Sequence, residues 1–469
     1  MTMSRSLLGV ALLLSAMATP ISAASATTST DEVRSRIEKV PGISFVSETT
    51  QDVLKGFRAL VYKYRQPVDH RNPGKGTFDQ RFVLLHRDFE RPTVVNTGGY
   101  MLFGTGAYRN EPTRLVDGNQ VDIEHRYFGQ SIPAGKVNPR TLSIWQSATD
   151  HHRLITALRK VYGARWISTG HSKAGMSAVY HRRFYPQDVD GTVPYVAPND
   201  VNDRDDSAYA RFLDQVGTAE CRRRTLAFQR EVLRRRNEVR VLFDKAAAEH
   251  GYTYRRVRGS DHALELQIAE FAWALWQSGL GATDCDKVPS AGDSAQVLFD
   301  YLQKTLDPVA SYADQNQQDF LGYYYQAGTQ LGWADSPVDR LKDLLKYEYR
   351  GARDYVPDDI PMAFQPKAMA DIDSWVRTGG NRLLFVYGSN DPWSVERFAL
   401  GHGTRDSAVH TVPGASHGAV LAGLPATEQA AATAMIRRWA GLSGRTERIS
   451  APLPALDRPR PVPPGVFPW

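Results

Sequence analysis

Within a chain of 469 residues, the run Gly170-His-Ser172-Lys-Ala174-Gly175 sets one serine between small residues two positions before and two positions after it. A short apolar, β-rich run, Trp166–Thr169, leads in, and an amphipathic helical pattern leads out to Tyr185. That order suits a sharp strand-to-helix turn that pushes a serine hydroxyl out at the top of a sheet, where small neighbours permit close approach. The hydroxyl is a weak nucleophile until a histidine takes its proton and a carboxylate holds that histidine in the right tautomer. Both are present downstream. Leu383–Tyr387 ends at Gly388-Ser-Asn-Asp391-Pro-Trp393, and Ala408–Val412 ends at Pro413-Gly-Ala-Ser-His417-Gly. Asp391 alone could be a turn residue and His417 alone a loop histidine. Together, in the order serine, acid, histidine and each past a strand, they give Ser172, Asp391 and His417 as the catalytic set, with Asp200 or Asp203 as fallback acids.

Acyl transfer also needs hydrogen-bond donors for a tetrahedral oxyanion, each worth about 3–4 kcal/mol. The amide of Lys173, next after the serine, is one candidate. The other is the amide of Gly99 or Tyr100, where Thr93-Val-Val-Asn-Thr97-Gly-Gly99-Tyr100 leaves an early strand. Glu124-His-Arg-Tyr-Phe128 closes another strand and has two readings. It is either a buried network bracing the sheet or a way of placing a carboxylate beside the cleft.

The elements that would position these residues alternate. Strands are expected at Ala59–Gln66, Thr77–Arg87, Pro92–Asn96, Val121–Glu124, Trp166–Thr169, Gly191–Ala197, Arg382–Tyr387 and Ala408–Val412. Helices are expected at Ser147–Tyr162, with Asp150 as N-cap, after Ser172, and at Pro425–Trp439. This is an α/β chain with a mostly parallel sheet and helices on both faces. Residues 27–198 and 366–450 form the two parts of its core. Between them, 199–365 is mainly helical, charged and aromatic, with Tyr323-Tyr-Tyr325 at its densest, and is long enough for a cap. Residues 451–469 are a proline-rich tail.

The N-terminus reads as an address. Arg5, an apolar stretch Leu7–Met17 and the small residues Ala24-Ser-Ala26 make a signal peptide of residues 1–26, with cuts after Ala23 or Ala24 as alternatives. The mature chain is then secreted or periplasmic and free of the membrane, since no other segment reaches ~18–20 apolar residues. A pair of cysteines in an exported chain reads as one disulfide, Cys221–Cys285, whose 64-residue loop would contribute about 4 kcal/mol. Net charge is +6, but the arginines at 222–224 and 234–236 are interleaved with Leu and Val in a helical pattern from Cys221 to His250. They read as a solvated face rather than a nucleic-acid surface. No metal-ligand spacing occurs, and no cofactor is called for.

With those residues in view, the chain resembles the secreted tripeptidyl aminopeptidase family of serine peptidases, akin to prolyl aminopeptidases and Pro-Xaa carboxypeptidases. The likeness rests on Ser168–Met176, Arg183-Phe-Tyr-Pro186, Tyr195–Val201, Glu124–Phe128 and Tyr324–Gly332. It implies an α/β-hydrolase with a helical cap, a monomer that removes short peptides, tripeptides with a proline preference, from peptide or protein substrates with free N-termini. An exopeptidase of this kind needs a carboxylate for the substrate ammonium. Glu124 is the first candidate and Asp200 the second, and Tyr324 and Gln326 are candidates to line subsites. The chain departs from the family's Gly-Gly-Ser-Lys-Gly-Gly at His171 and Ala174, and Phe128-Gly-Gln-Ser131 is nearer the Pro-Xaa branch. The rival readings are a Pro-Xaa carboxypeptidase, an exported esterase on the same scaffold, and a non-catalytic binding protein.

Overall fold

The computed structural model describes residues 28–50, 53–102, 108–134 and 141–443. The expected signal peptide and proline-rich tail lie outside the described residues. Nine strands form one sheet among them: β1 Ile43–Thr49, β2 Arg58–Pro67, β3 Thr77–His86, β4 Thr93–Asn96, β5 Asn119–Ile123, β6 Trp166–His171, β7 Gly191–Tyr195, β8 Leu384–Gly388 and β9 Ala408–Val412. Their order is β1-β2-β3-β5-β4-β6-β7-β8-β9. β1, β2, β3 and β5 pair antiparallel in succession, and every pair from β5 to β9 is parallel. All residues of β5, β7 and β8 are buried, as a sheet covered on both faces requires. Alternation assigns the faces. Val95 and Trp166 pack with Leu154 and Leu158 on one side, whereas their chain neighbours Val94 and Ile167 pack with Ile436 and Trp439 on the other. This is the α/β-hydrolase arrangement.

Between β7 and β8 the chain leaves the sheet and builds a helical insertion with a core of its own, including Phe228, Phe243, Leu264, Phe271, Leu302 and Tyr355. Its central helix, Ser260–Gln277, is buried on nearly every side. Cys221 and Cys285 are joined in a disulfide with Cα atoms 5.5 Å apart, tying the helix Ala219–Arg234 to the short helical turn Cys285–Lys287. Among the described residues, no helix is long and apolar enough to cross a membrane.

Four expectations needed correction. β1 precedes the first expected strand, Ala59–Gln66, and escapes the pattern because a bulge between Phe45 and Ser47 breaks its period of two. The helix before β6 runs Ile144–Leu158 with Ser143 as N-cap, whose side chain accepts from the Gln146 amide. Asp150 lies inside that helix, because its ion pair with buried Arg126 outweighs the capping preference of an aspartate. The pattern from Cys221 to His250 is two helices, Ala219–Arg234 and Arg236–His250, parted at Arg235. Arg236 is buried rather than solvated, with its guanidinium 2.5 Å from Glu265.

Candidate active site

Ser172 stands between β6 and the helix Lys173–Phe184 with φ 55° and ψ −128°, a conformation that L-residues rarely adopt. Two hydrogen bonds hold it there. Its N–H donates to the Tyr195 carbonyl at 2.9 Å, and its carbonyl accepts from the Met176 amide at 2.9 Å. Gly170 explains the tightness of the turn, since a Cβ there would lie 2.4 Å from the Ala174 carbonyl. The strand-to-helix geometry thus spends local strain to present one hydroxyl.

Past β8, Asp391 is 1% exposed and its carboxylate accepts from the Trp393 amide at 3.1 Å and the Ser394 hydroxyl at 2.6 Å. His417, past β9, sets Nδ1 3.0 Å from each Asp391 oxygen. A buried carboxylate on Nδ1 fixes the imidazole tautomer and leaves Nε2 as the nitrogen that can exchange protons. The insertion meets both loops through one residue. Gln277 accepts from the His417 amide at 3.3 Å and from Trp393 Nε1 at 2.8 Å.

Ser172 and His417 line one cleft of about 800 Å³ between the sheet's C-terminal edge and the insertion. Gly98, Gly99 and Tyr100 form its wall beside Ser172 and Lys173, and Tyr209, Phe320 and Tyr323 give it an aromatic lining. Asp200 also lines the cleft. It is 4% exposed, yet neither carboxylate oxygen meets a hydrogen-bond donor in good geometry. Burial, then the charges of Glu396, Asp203 and Asp206, push its carboxyl up to about 8, and the nearby Asn202 amide offsets this least. Glu396 and Asp206, themselves half-buried, are held up to about 7 and about 6, chiefly by desolvation. Gly332 of the insertion folds over the group so closely that a Cβ would lie 2.2 Å from Asp200 Oδ2. The leading charges acting on Asp200 are all carboxylates.

The sequence matches the model of the PS-10 peptidase S37 family over residues 26–458. The chain belongs to that family. It is 46% identical over 463 residues to the prolyl tri/tetrapeptidyl aminopeptidase of Streptomyces mobaraensis, covering 97% of this chain and 96% of that one. The lysosomal Pro-X carboxypeptidase of Mus musculus is 28% identical over 172 residues, 32% of this chain and 34% of the relative. Among solved structures, the proline iminopeptidase of Mycobacterium smegmatis aligns with a TM-score of 0.35 at 14% identity, covering 81% of this chain and 98% of that one.

In this S37 peptidase the other candidates fall in different places. Glu124 is 1% exposed and is not part of the cleft wall. Its carboxylate accepts from the Leu102 and Gln130 amides at 3.1 and 2.9 Å and the Ser131 hydroxyl at 2.8 Å, with Arg81 at 3.7 Å. Of its two readings, these contacts are those of the brace. The following Arg126 is likewise structural, bonded to Asp150 at 2.6 and 2.8 Å, and Asp150 also meets His70. Tyr324 stacks on Tyr355 with centroids 4.5 Å apart inside the insertion's core. Gln326 is buried in a small separate pocket beside His151 and Lys173. Asp203 accepts from the Trp333 amide at 2.8 Å, while the carboxylate on His417 is that of Asp391. Sequence reasoning passed over Tyr323, Glu396 and Asp206. For Tyr323 a signal existed, since it lies three residues after Phe320 and so on the same helical face.

Proposed function

We propose that this S37 peptidase removes short peptides from free N-termini through an acyl-enzyme on Ser172. His417, oriented by Asp391, takes the Ser172 proton as the hydroxyl attacks the scissile carbonyl and returns it to the leaving amine. Water then attacks the ester and releases the peptide acid. The Lys173 amide and one amide of the Gly99–Tyr100 segment stabilise the oxyanion.

One observation carries the choice of terminus. Asp200 is a buried carboxyl group in the same cleft as the nucleophile, without a hydrogen-bond donor in good geometry, and the charges that act on it most strongly are those of other carboxylates. A substrate ammonium is the group this site lacks. A carboxypeptidase would need the opposite charge there, and an esterase would need none. The 46% identical relative, a prolyl tri/tetrapeptidyl aminopeptidase, supports the same reading and extends it to tri- and tetrapeptides ending in proline. The aromatic lining from Tyr209, Phe320 and Tyr323 suits a proline ring. The N-terminal signal pattern and the disulfide support export.

The test compares hydrolysis of Ala-Ala-Pro-p-nitroanilide with that of its N-acetylated twin, with Ser172→Ala as blank. The free-amine substrate is expected to turn over about 100-fold faster, the scale of one buried charge pair. The blank should lose on the order of 10⁶ in kcat. Equal cleavage of both substrates would defeat the N-terminal reading. Turnover of simple esters alone would hand the site to an esterase.

A further inference from the structure

Lys173 contributes its backbone to the scheme above, but its side chain is unused there and is unusually placed. The residue is 3% exposed, and burial alone, with no carboxylate acting on it, pulls its ammonium well below the ordinary lysine range. Nζ lies 4.9 Å from the centroid of the Phe128 ring and 5.2 Å from that of Tyr100. Its hydrogen bond goes to the Gly99 carbonyl, at 2.5 Å.

We propose that the Lys173 side chain is a positioning residue that fixes the second oxyanion donor, and that this donor is the Tyr100 amide rather than the Gly99 amide. The inference rests on the acyl-transfer reading of Ser172. In a trans peptide the carbonyl and the N–H of one unit point in opposite directions, and no described peptide here is cis. Holding the Gly99 carbonyl toward the buried Lys173 amine therefore turns the Tyr100 N–H away from it. The next carbonyl, that of Tyr100, accepts from the His125 amide at 3.0 Å. The two carbonyls flanking the Tyr100 N–H are thus both tied, one by a side chain of the elbow and one by the end of β5. The segment also sits directly on the elbow helix, since a Cβ on Gly99 would lie 2.7 Å from the Ala174 nitrogen. One residue then supplies the first donor with its amide and aims the second with its amine. An amine donates whether neutral or protonated, so this bond survives the loss of charge that burial favours. The rings of Phe128 and Tyr100 enclose the amine, which keeps water from taking its place.

Lys173→Met keeps length and apolar bulk and removes the donor. Active sites are counted by exhaustive fluorophosphonate labelling, so that kcat refers to folded enzyme. Loss of one aimed donor should lower kcat for Ala-Ala-Pro-p-nitroanilide about 100-fold, with KM within about threefold. Affinity for a peptide boronate, whose tetrahedral adduct fills the oxyanion site, should fall in parallel, while affinity for the product tripeptide stays unchanged. A kcat per labelled site within threefold of the parent overturns the proposal, and so does a loss shared equally by kcat, KM and product affinity. If the methionine variant yields no labelled sites, Lys173→Gln is read by the same ratio. No Ser172-dependent turnover in the parent enzyme would instead sink the acyl-transfer reading itself.

Discussion

Glu124 and Asp200 are carboxylates of nearly equal burial, 1% and 4% exposed, and each follows a strand of the same sheet. Their surroundings are opposite. Glu124 receives two amides, a hydroxyl and a nearby guanidinium from three separate segments, and its charge is spent on holding those segments together. Asp200 receives no such donors and is crowded by other carboxylates. Burying an unpaired charge costs several kcal/mol, so the free group keeps its proton, and it ionises at neutral pH only when a cation from outside the fold joins it. Burial therefore does not mark a binding group. The balance of donors around it does.

The largest expected effect separates the two at the level of catalysis. Asp200→Asn keeps shape and removes charge, so kcat/KM for Ala-Ala-Pro-p-nitroanilide should fall about 100-fold, mostly through KM, the scale of a truncated buried ion pair. The N-acetylated twin should be unaffected. A fall of the same size on both substrates would show Asp200 to be structural and would erase the contrast with Glu124.

Glu124→Gln probes the other side. The new amide nitrogen faces donors rather than acceptors, and at least one buried N–H or O–H loses its partner, at a cost of about 2 kcal/mol. Urea unfolding should show that loss, while kcat/KM per labelled active site stays within about twofold of the parent. A variant of full stability with a raised KM for free-amine substrates would return the ammonium site to Glu124.

The contrast also explains what the sequence disclosed. That Asp391 and His417 meet was readable because each follows a short apolar strand with a turn-rich loop, a local signal repeated twice along the chain. The brace around Glu124 was open to two readings because its donors come from Leu102, Gln130, Ser131 and Arg81, and sequence shows spacing but not convergence. The carboxylates around Asp200 were harder still. Asp206 lies at the start of the insertion and Glu396 beyond its end, and only the fold closes that distance. The sequence does not rank Tyr323 against Tyr324, because a run of three tyrosines gives no phase by itself. Phe320, one turn earlier, supplies it. The Arg126–Asp150 pair shows the same limit from the other direction, since burial converted an apparent helix cap into the centre of a polar network.

The smallest effect is the most direct reading of Asp200's missing partner. Its carboxyl is raised from an ordinary value near 3.8 to about 8 in the folded enzyme. Between those two values the folded chain holds a proton that the unfolded chain has released. Stability from this source is therefore present in full below about pH 4 and is lost as pH rises toward about 8. Glu396 and Asp206 act in the same direction over narrower windows ending near 7 and 6. Asp200→Asn removes the widest of the three, so Tm should decline less steeply from pH 5 to pH 8 in the variant than in the parent. At pH 8 the variant should melt a few degrees higher, at about 1 °C for each kcal/mol in a chain of this size. A tripeptide with a free amine, added at pH 7.5, should raise the parent's Tm and leave the variant's nearly unchanged, because the ligand supplies the missing charge only where the carboxylate remains. Parallel Tm curves for the two proteins, with or without tripeptide, would mean that Asp200 is already compensated in the fold and is no different in kind from Glu124.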